Sequence, residues 1–314
     1  MLTSTLTLPP EVQATADDTL LAVRQPGLIM KTGAVTKRLK AKGGNTLRMS
    51  RYDRLPTAPV PLPRDGSQPD ATPLNRVDID GTVSFYGLFC AINQRVFLQN
   101  QDLVLQETAE LLGLSMRMTE DQLTRDMLQA TATVYNCTGG ANGDLPTNLS
   151  PADLDEVTAA LLGNDAWMML DRQEGENRFG TGPIRNAYLM LCHTDLTPDL
   201  NNLPGFISQW NYPNQNKTIR EEWGSYNNIR AMVSSVGSVV PQASRLGKNV
   251  YNSFVQGLES LCCVEQDNYS ASIIYRPAIF SGALAQNITI GYTFAEVPRI
   301  LNDLWLTNVR STLY

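Results

Sequence analysis

The chain has a single histidine, five scattered cysteines and no long uncharged apolar run, and each scarcity closes off a class of function. With His193 alone the usual general base is scarce, and histidine-rich metal sites and the His-Glu-x-x-His protease pattern, which need two or more histidines, are excluded. Cys90, Cys137, Cys192, Cys262 and Cys263 are odd in number and lack Cys-x-x-Cys spacing, so neither a disulfide framework nor a zinc site follows. The longest apolar runs are of the kind Tyr188-Leu-Met-Leu-Cys192, far short of the ~18–20 residues that cross a bilayer, and no membrane partner is expected. Residues 1–18 have no basic start before an apolar stretch and carry Glu11, Asp17 and Asp18, so a secretory signal is not expected and assembly in the cytoplasm is. Charge is also sparse: 18% of residues are charged, against about 25% in typical domains. That suits a protein with much surface in contact with copies of itself.

What is present is 314 residues with an ordinary apolar fraction, enough for about two domains or one elaborated fold. Residues 1–64 hold ten basic residues against four acids, while the chain as a whole carries a net charge of −6. A basic N-terminal segment on an acidic body fits an arm lying on the acidic surface of another copy better than free nucleic-acid binding, which the rest of the surface would oppose. The first ~50 residues read as an extended arm with one short helical stretch, broken at Gly43-Gly44-Asn45. Pro56, Pro59, Pro61 and Pro63 then hold the backbone extended and block interior sheet pairing. Val77, Ile79, Val83 and Phe85 return on alternate positions as a strand does. The segment reads as a long projecting hairpin loop, with a Pro-rich interdomain linker as the alternative.

Leu105, Ala109, Leu112, Met116, Leu123, Met127 and Ala130 recur at mostly three- and four-residue spacing and predict one long helix over about 102–133. The Thr119-Glu-Asp-Gln122 capping-box pattern leaves room for a break near 119. Ser150-Pro-Ala-Asp153 predicts a second helix sending Leu154, Val157, Leu161 and Leu162 into the core, and Thr197-Pro-Asp199 repeats that logic. Tyr188–Cys192, Ile273–Tyr275, Asn287–Phe294 and Leu304–Leu306 read as buried or half-buried strands. The order of elements is that of an α+β fold, not of repeating βαβ units.

The search for chemistry yields no catalytic, cofactor-binding or metal-ligating residue. The glycine-rich loop Asn136-Cys-Thr-Gly-Gly-Ala-Asn-Gly-Asp144 lacks the Lys-Ser/Thr of a phosphate-binding loop and follows a helix instead of a strand, so it reads as a turn. Cys192-His193 reads as the end of a buried strand, since a nucleophile and its base are rarely neighbours in sequence. The acid pairs Glu221-Glu222 and Glu174/Glu176 read as solvated charge. An enzyme with a paired-carboxylate site stays open only as a lesser alternative.

Four stretches, in order, resemble one family. Asn45-Thr-Leu-Arg-Met-Ser-Arg-Tyr-Asp-Arg-Leu-Pro-Thr-Ala-Pro-Val-Pro-Leu62 resembles the segment entering the extended loop of tailed-phage major capsid proteins of the N4-like branch. Val83-Ser-Phe-Tyr-Gly87 resembles that loop's return strand, and Asn100-Gln-Asp-Leu-Val-Leu-Gln-Glu-Thr-Ala-Glu-Leu-Leu-Gly113 the start of the family's spine helix. Thr289-Ile-Gly-Tyr-Thr-Phe-Ala-Glu-Val-Pro-Arg-Ile-Leu-Asn-Asp-Leu-Trp305 is similar to its closing strand, helical turn and strand. The resemblance implies an HK97-like fold: N-terminal arm 1–50, extended loop 51–86, peripheral domain 87–185 and 286–314 with the spine helix, and axial domain 186–285. It implies a shell of hexamers and pentamers enclosing packaged double-stranded DNA without sequence-specific binding. The partners implied are other copies of itself, a separate scaffolding protein, a portal protein at one vertex and a decoration or cement protein. The chain would be built into the virion capsid in the bacterial cytoplasm, without cofactors. An encapsulin-like compartment of the same fold is the nearest alternative.

Expected contact residues are Arg48, Arg51, Tyr52, Arg54, Leu55, Pro56, Thr57, Pro59, Val60, Pro61 and Leu62, with the three arginines in charge contacts between subunits. Relatives that cross-link their subunits use a lysine of the extended loop, and residues 51–86 contain none, so such a bond is not expected. Asn211–Thr218 and Cys262-Cys263 depart from the family pattern.

Overall fold

The computed structural model describes residues 2–3, 30–53, 55, 71–99, 104–131, 133–169, 186–212, 218–219, 221–244, 246–267, 272–276 and 286–314. Strands β1 (Leu2–Thr3), β2 (Val35–Leu39), β3 (Thr46–Tyr52), β4 (Arg76–Thr82) and β5 (Ser84–Asn93) lead into helix α1 (Gln94–Gln99) and the long helix α2 (Val104–Gln129). After β6 (Val134–Asn136) and α3 (Pro151–Gly163) come β7 (Tyr188–His193), α4 (Thr197–Asn202), β8 (Ile207–Ser208), β9 (Glu222–Tyr226), β10 (Ile229–Ser234) and β11 (Ser238–Val240). The chain closes with β12 (Val250–Gln256), β13 (Leu261–Gln266), β14 (Ser272–Arg276), β15 (Asn287–Ile300) and β16 (Leu306–Thr312).

Two mixed sheets and one hairpin carry the fold. The larger sheet has the order β6-β16-β12-β7-β10-β9-β8, with β11 beside β12. The smaller has the order β1-β5-β15-β13-β2, with β14 on the β13 side of β15, and β3 pairs with β4 alone. The last strands of the chain enter both sheets: β13 and β14 pair with β15, and β16 pairs with β12.

The larger sheet is buried on both faces, which is why β7 reads as an unbroken apolar run. Tyr188, Met190 and Cys192 pack with Tyr251, Val255 and Val309 beneath Leu154, Val157 and Leu161 of α3. Leu189 and Leu191 face the other way, against Phe254, Leu306, Met30 and Leu128 at the end of α2. Burying a side chain of this size contributes about 1.5–3 kcal/mol.

Helix α2 lies on the smaller sheet, with Ala109, Leu112 and Met116 packed on the alternate β15 residues Ile290, Tyr292 and Phe294. The expected break near 119 is absent. Thr119 does not cap a new helix; its hydroxyl donates to the Ser115 carbonyl oxygen (2.8 Å), and the helix runs on. At α3 the expected cap is present, Ser150 and Asp153 forming a reciprocal capping box with Pro151 in the first turn. Leu162 is exposed, however, because it lies on the helix face opposite the core.

Other expectations need correcting. Thr197 does not cap α4, whose N-cap is Leu196 without a side-chain hydrogen bond. Ile274 and Tyr275 of β14 are exposed rather than buried. Leu304 and Trp305 belong to a 3-10 turn, Asp303–Trp305, before β16 begins at Leu306. The basic segment forms β2 and the start of β3, and the rest of the expected arm, residues 4–29, lies outside the described residues.

Candidate assembly surfaces

The hairpin β3–β4 is set by its cross-strand pairs. Thr46 faces Thr82, Arg48 faces Asp80, Ser50 faces Asp78 and Tyr52 faces Arg76 on one side, and Met49 faces Ile79 on the other. Period-two alternation makes the first side polar and exposed and the second half-buried and apolar. Leu47 and Met49 join Leu39, Val83, Cys262, Val264 and Ala295 where the hairpin meets the smaller sheet, and Arg299 Nε donates to the Asp80 carbonyl oxygen (3.2 Å). Outward from this base, Tyr52, Leu55 and Leu74 are left exposed.

Among the expected contact residues, Arg48 is engaged within its own chain. Its Nε and Nη2 donate to Asp80 Oδ1 and Oδ2 at 2.7 and 2.9 Å, a two-pronged pair. That hydrogen bonding holds the Asp80 carboxyl below its usual range. Arg51 lies half-buried on the inner side opposite Val77. Tyr52 and Leu55 are exposed. Arg54, Pro56, Thr57, Pro59, Val60, Pro61 and Leu62 lie outside the described residues.

The body carries a second surface that sequence reasoning missed. Beyond the hairpin base, the face of the smaller sheet turned away from α2 is an apolar groove of about 370 Å³, lined by Gly87, Leu88, Phe89, Ile274, Arg276, Gly291 and Thr293 among others. Phe89 in its lining is 71% exposed, and Phe85, four residues earlier on the same face of β5, is 65% exposed. Gly291 pairs with Phe89, and a Cβ there would sit 2.7 Å from the Phe89 Cβ and 2.8 Å from the Leu88 carbonyl oxygen, so a larger residue would push the two strands apart. The available signal was the Phe85/Phe89 alternation together with glycine at paired strand positions.

Cys192, His193 and the glycine-rich loop, all weighed for chemistry, are otherwise occupied. Cys192 is buried, its Sγ donates to the Met232 carbonyl oxygen (3.3 Å), and burial pushes its thiol up to about 12. As neighbours in a strand, Cys192 and His193 point to opposite faces. His193 Nδ1 instead accepts from the Asp195 backbone N–H (3.1 Å). The glycine-rich loop follows strand β6, not a helix as expected, yet it cradles no phosphate: the N–H groups of Thr138, Gly139 and Gly140 all donate to Asp153 Oδ1 at 3.2, 3.1 and 2.7 Å. Its anion is the protein's own.

Glu222 is not solvated as expected. It is 2% exposed, accepts from the Tyr212 hydroxyl (2.9 Å) and Arg230 Nε (2.7 Å), and pairs again with Arg230 Nη2. Glu174 and Glu176 lie outside the described residues. Among the described residues no group of three His, Cys, Asp or Glu could hold a metal ion.

A family model described as phage capsid protein matches residues 76–251, from the second hairpin strand through α2 and most of the larger sheet. The chain belongs to the phage capsid protein family. Solved capsids agree in fold. A capsid structure of Ralstonia phage GP4 matches with a TM-score of 0.66 at 10% identity, covering 94% of this chain and 91% of that one. A capsid structure of cyanophage P-SCSP1u matches with a TM-score of 0.57 at 12% identity over 96% and 91%. A structure from Mycobacterium phage Bobi matches with a TM-score of 0.57 at 13% identity over 96% of each chain. No curated protein matches by sequence. The capsid subunit has the HK97-like α+β fold and is a major capsid protein, a structural component of the virion shell and not an enzyme. The encapsulin-like and paired-carboxylate alternatives are not favoured.

Proposed function

We propose that the subunits assemble as hexamers and pentamers into an icosahedral shell around packaged double-stranded DNA. The hairpin β3–β4 and the loop that joins its strands make the principal contact with a neighbour. The observation that carries this reading is a hairpin anchored to the body only at its base, whose outer end leaves Tyr52, Leu55 and Leu74 in solvent. A loop stiffened by Pro56, Pro59, Pro61 and Pro63 loses less conformational entropy on docking than a flexible one. Arg51 and Arg54 join Arg48 in charge contacts near the loop base, Arg48 while bridged to Asp80. The division into arm 1–50, loop 51–86, peripheral domain 87–185 with 286–314, and axial domain 186–285 belongs to the same proposal, as does the N4-like branch.

Assembly takes place in the host cytoplasm with a separate scaffolding protein, a portal at one vertex and a decoration or cement protein outside. Electron microscopy and velocity sedimentation of the purified chain, with and without a co-expressed scaffold, test this. Closed shells with scaffold, and rings or incomplete shells without it, are expected. Reversal of charge at Arg48, Arg51 and Arg54 together is expected to cut particle yield; unchanged yield would refute the contact, and a monomer under every condition the assembly.

A further inference from the structure

The apolar stripe of α2 has a gap where Glu120 and Asp121 point inward, both essentially inaccessible to solvent. The stripe Leu112, Met116 and Glu120 advances in steps of four and meets the β15 series Ile290, Tyr292, Phe294 and Glu296, so the last facing positions on helix and strand are both acids. Directly opposite Glu296 on the neighbouring strand lies a third acid, Glu265. Like charges facing each other across a ladder are destabilising.

One cation answers all three. Lys31 Nζ hydrogen-bonds to Glu296 Oε2 and lies 3.4 Å from Glu120 Oε2 and 3.9 Å from Glu265 Oε1. The turn that carries it is fixed on both sides. The Met30 N–H donates to Asp121 Oδ1 (3.2 Å), the Ala34 N–H to the Lys31 carbonyl oxygen (3.0 Å), and the Thr32 carbonyl oxygen accepts from Gln256. Gly33 sits at φ 83°, and a Cβ there would fall 2.2 Å from Met169 Cε. This turn is where the basic N-terminal stretch meets the body.

We propose that Lys31, shared by Glu120, Glu265 and Glu296, is a pH-sensitive latch that roots the N-terminal segment on α2 and β15 and loosens when every acid around it is ionised. The titratable groups facing it are these three, Asp121 through the Met30 N–H, and the buried thiol of Cys263. Burial, with the Glu120 and Glu265 charges, outweighs the pull of Lys31 and pushes the Glu296 carboxyl up to about 7 from its ordinary 4.5. For Lys31 the balance is reversed: burial lowers it, but Glu296 and Glu120 raise it by more, so it stays an ammonium. A carboxyl raised in the folded state contributes stability that is complete below its unfolded value of 4.5 and lost as pH rises through about 7. The latch is therefore tighter at mildly acidic than at mildly alkaline pH, the reverse of a simple ion pair.

Hydrogen exchange of the Met30 and Ala34 amides in the full chain, corrected for the intrinsic pH dependence of exchange, tests this between pH about 5.5 and 8.5. Protection is expected to fall about thirtyfold across that range and to stay flat in Glu296→Gln, which keeps the shape and removes the titrating charge. Glu265→Gln, at the rim of the cluster, removes a negative charge that raises the Glu296 carboxyl and is expected to move the midpoint to lower pH; a shift to higher pH would overturn the latch. Flat protection in the wild type, or an equal fall in Glu296→Gln, would overturn the latch. Neither outcome bears on shell assembly, which is tested separately.

Discussion

The two sheets of this capsid subunit solve the same problem differently. The eight-stranded sheet buries both faces within one chain, down to an ion pair between Glu222 and Arg230 that is 2% and 1% exposed. The six-stranded sheet buries one face beneath α2 and leaves part of the other, around Phe85 and Phe89, open to solvent. The first region is complete as a monomer. The second is finished on one side only, and an uncovered apolar face of this kind is where contact with other chains is expected.

This contrast can be broken most severely in the closed region. Arg230→Met leaves Glu222 charged and unpaired in the core, with an expected loss of about 3–5 kcal/mol in denaturant unfolding. Combining it with Glu222→Leu is expected to recover much of that loss, because the uncompensated charge is then gone. On the covered face of the six-stranded sheet, Met116→Ala opens a cavity between α2 and Phe294 and is expected to cost about 2–5 kcal/mol in the same measurement. On the open face of that sheet the order of effects inverts. Phe89→Ser is expected to change subunit stability by no more than about 0.5 kcal/mol while sharply reducing particle yield by sedimentation. A loss of stability as large as that of Met116→Ala would mean that the groove is part of the monomer's core.

The parts of this fold legible in the sequence are those whose cause is local. The long helix follows from the spacing of Ala109, Leu112 and Met116, α3 from the Ser150 cap, and β7 from an unbroken apolar run between two covered faces. The hairpin follows from alternation at Val77 and Ile79. What escaped depends on partners distant in the chain. Glu222 reads as solvated charge, and nothing in the sequence marks Glu120 or Glu296 as buried, because their cations, at Arg230 and Lys31, come from other elements. Phe85 and Phe89 alternate as core residues do, and a period of two separates the faces of a strand without saying which one is covered. Seven of the eleven expected contact residues, Arg54 and those from Pro56 to Leu62, rest on composition and resemblance alone.

The placement of the cysteines has a consequence for the lifetime of a particle outside its host. Cys137, Cys192, Cys262 and Cys263 are free and buried, and burial pushes all four thiols up, Cys262 to about 11 and Cys192 to about 12. Since oxidation and disulfide exchange run through the thiolate, these side chains are chemically quiet at neutral pH. A shell built from such subunits keeps those four thiols inert in aerated water, its durability resting on packing instead of redox chemistry.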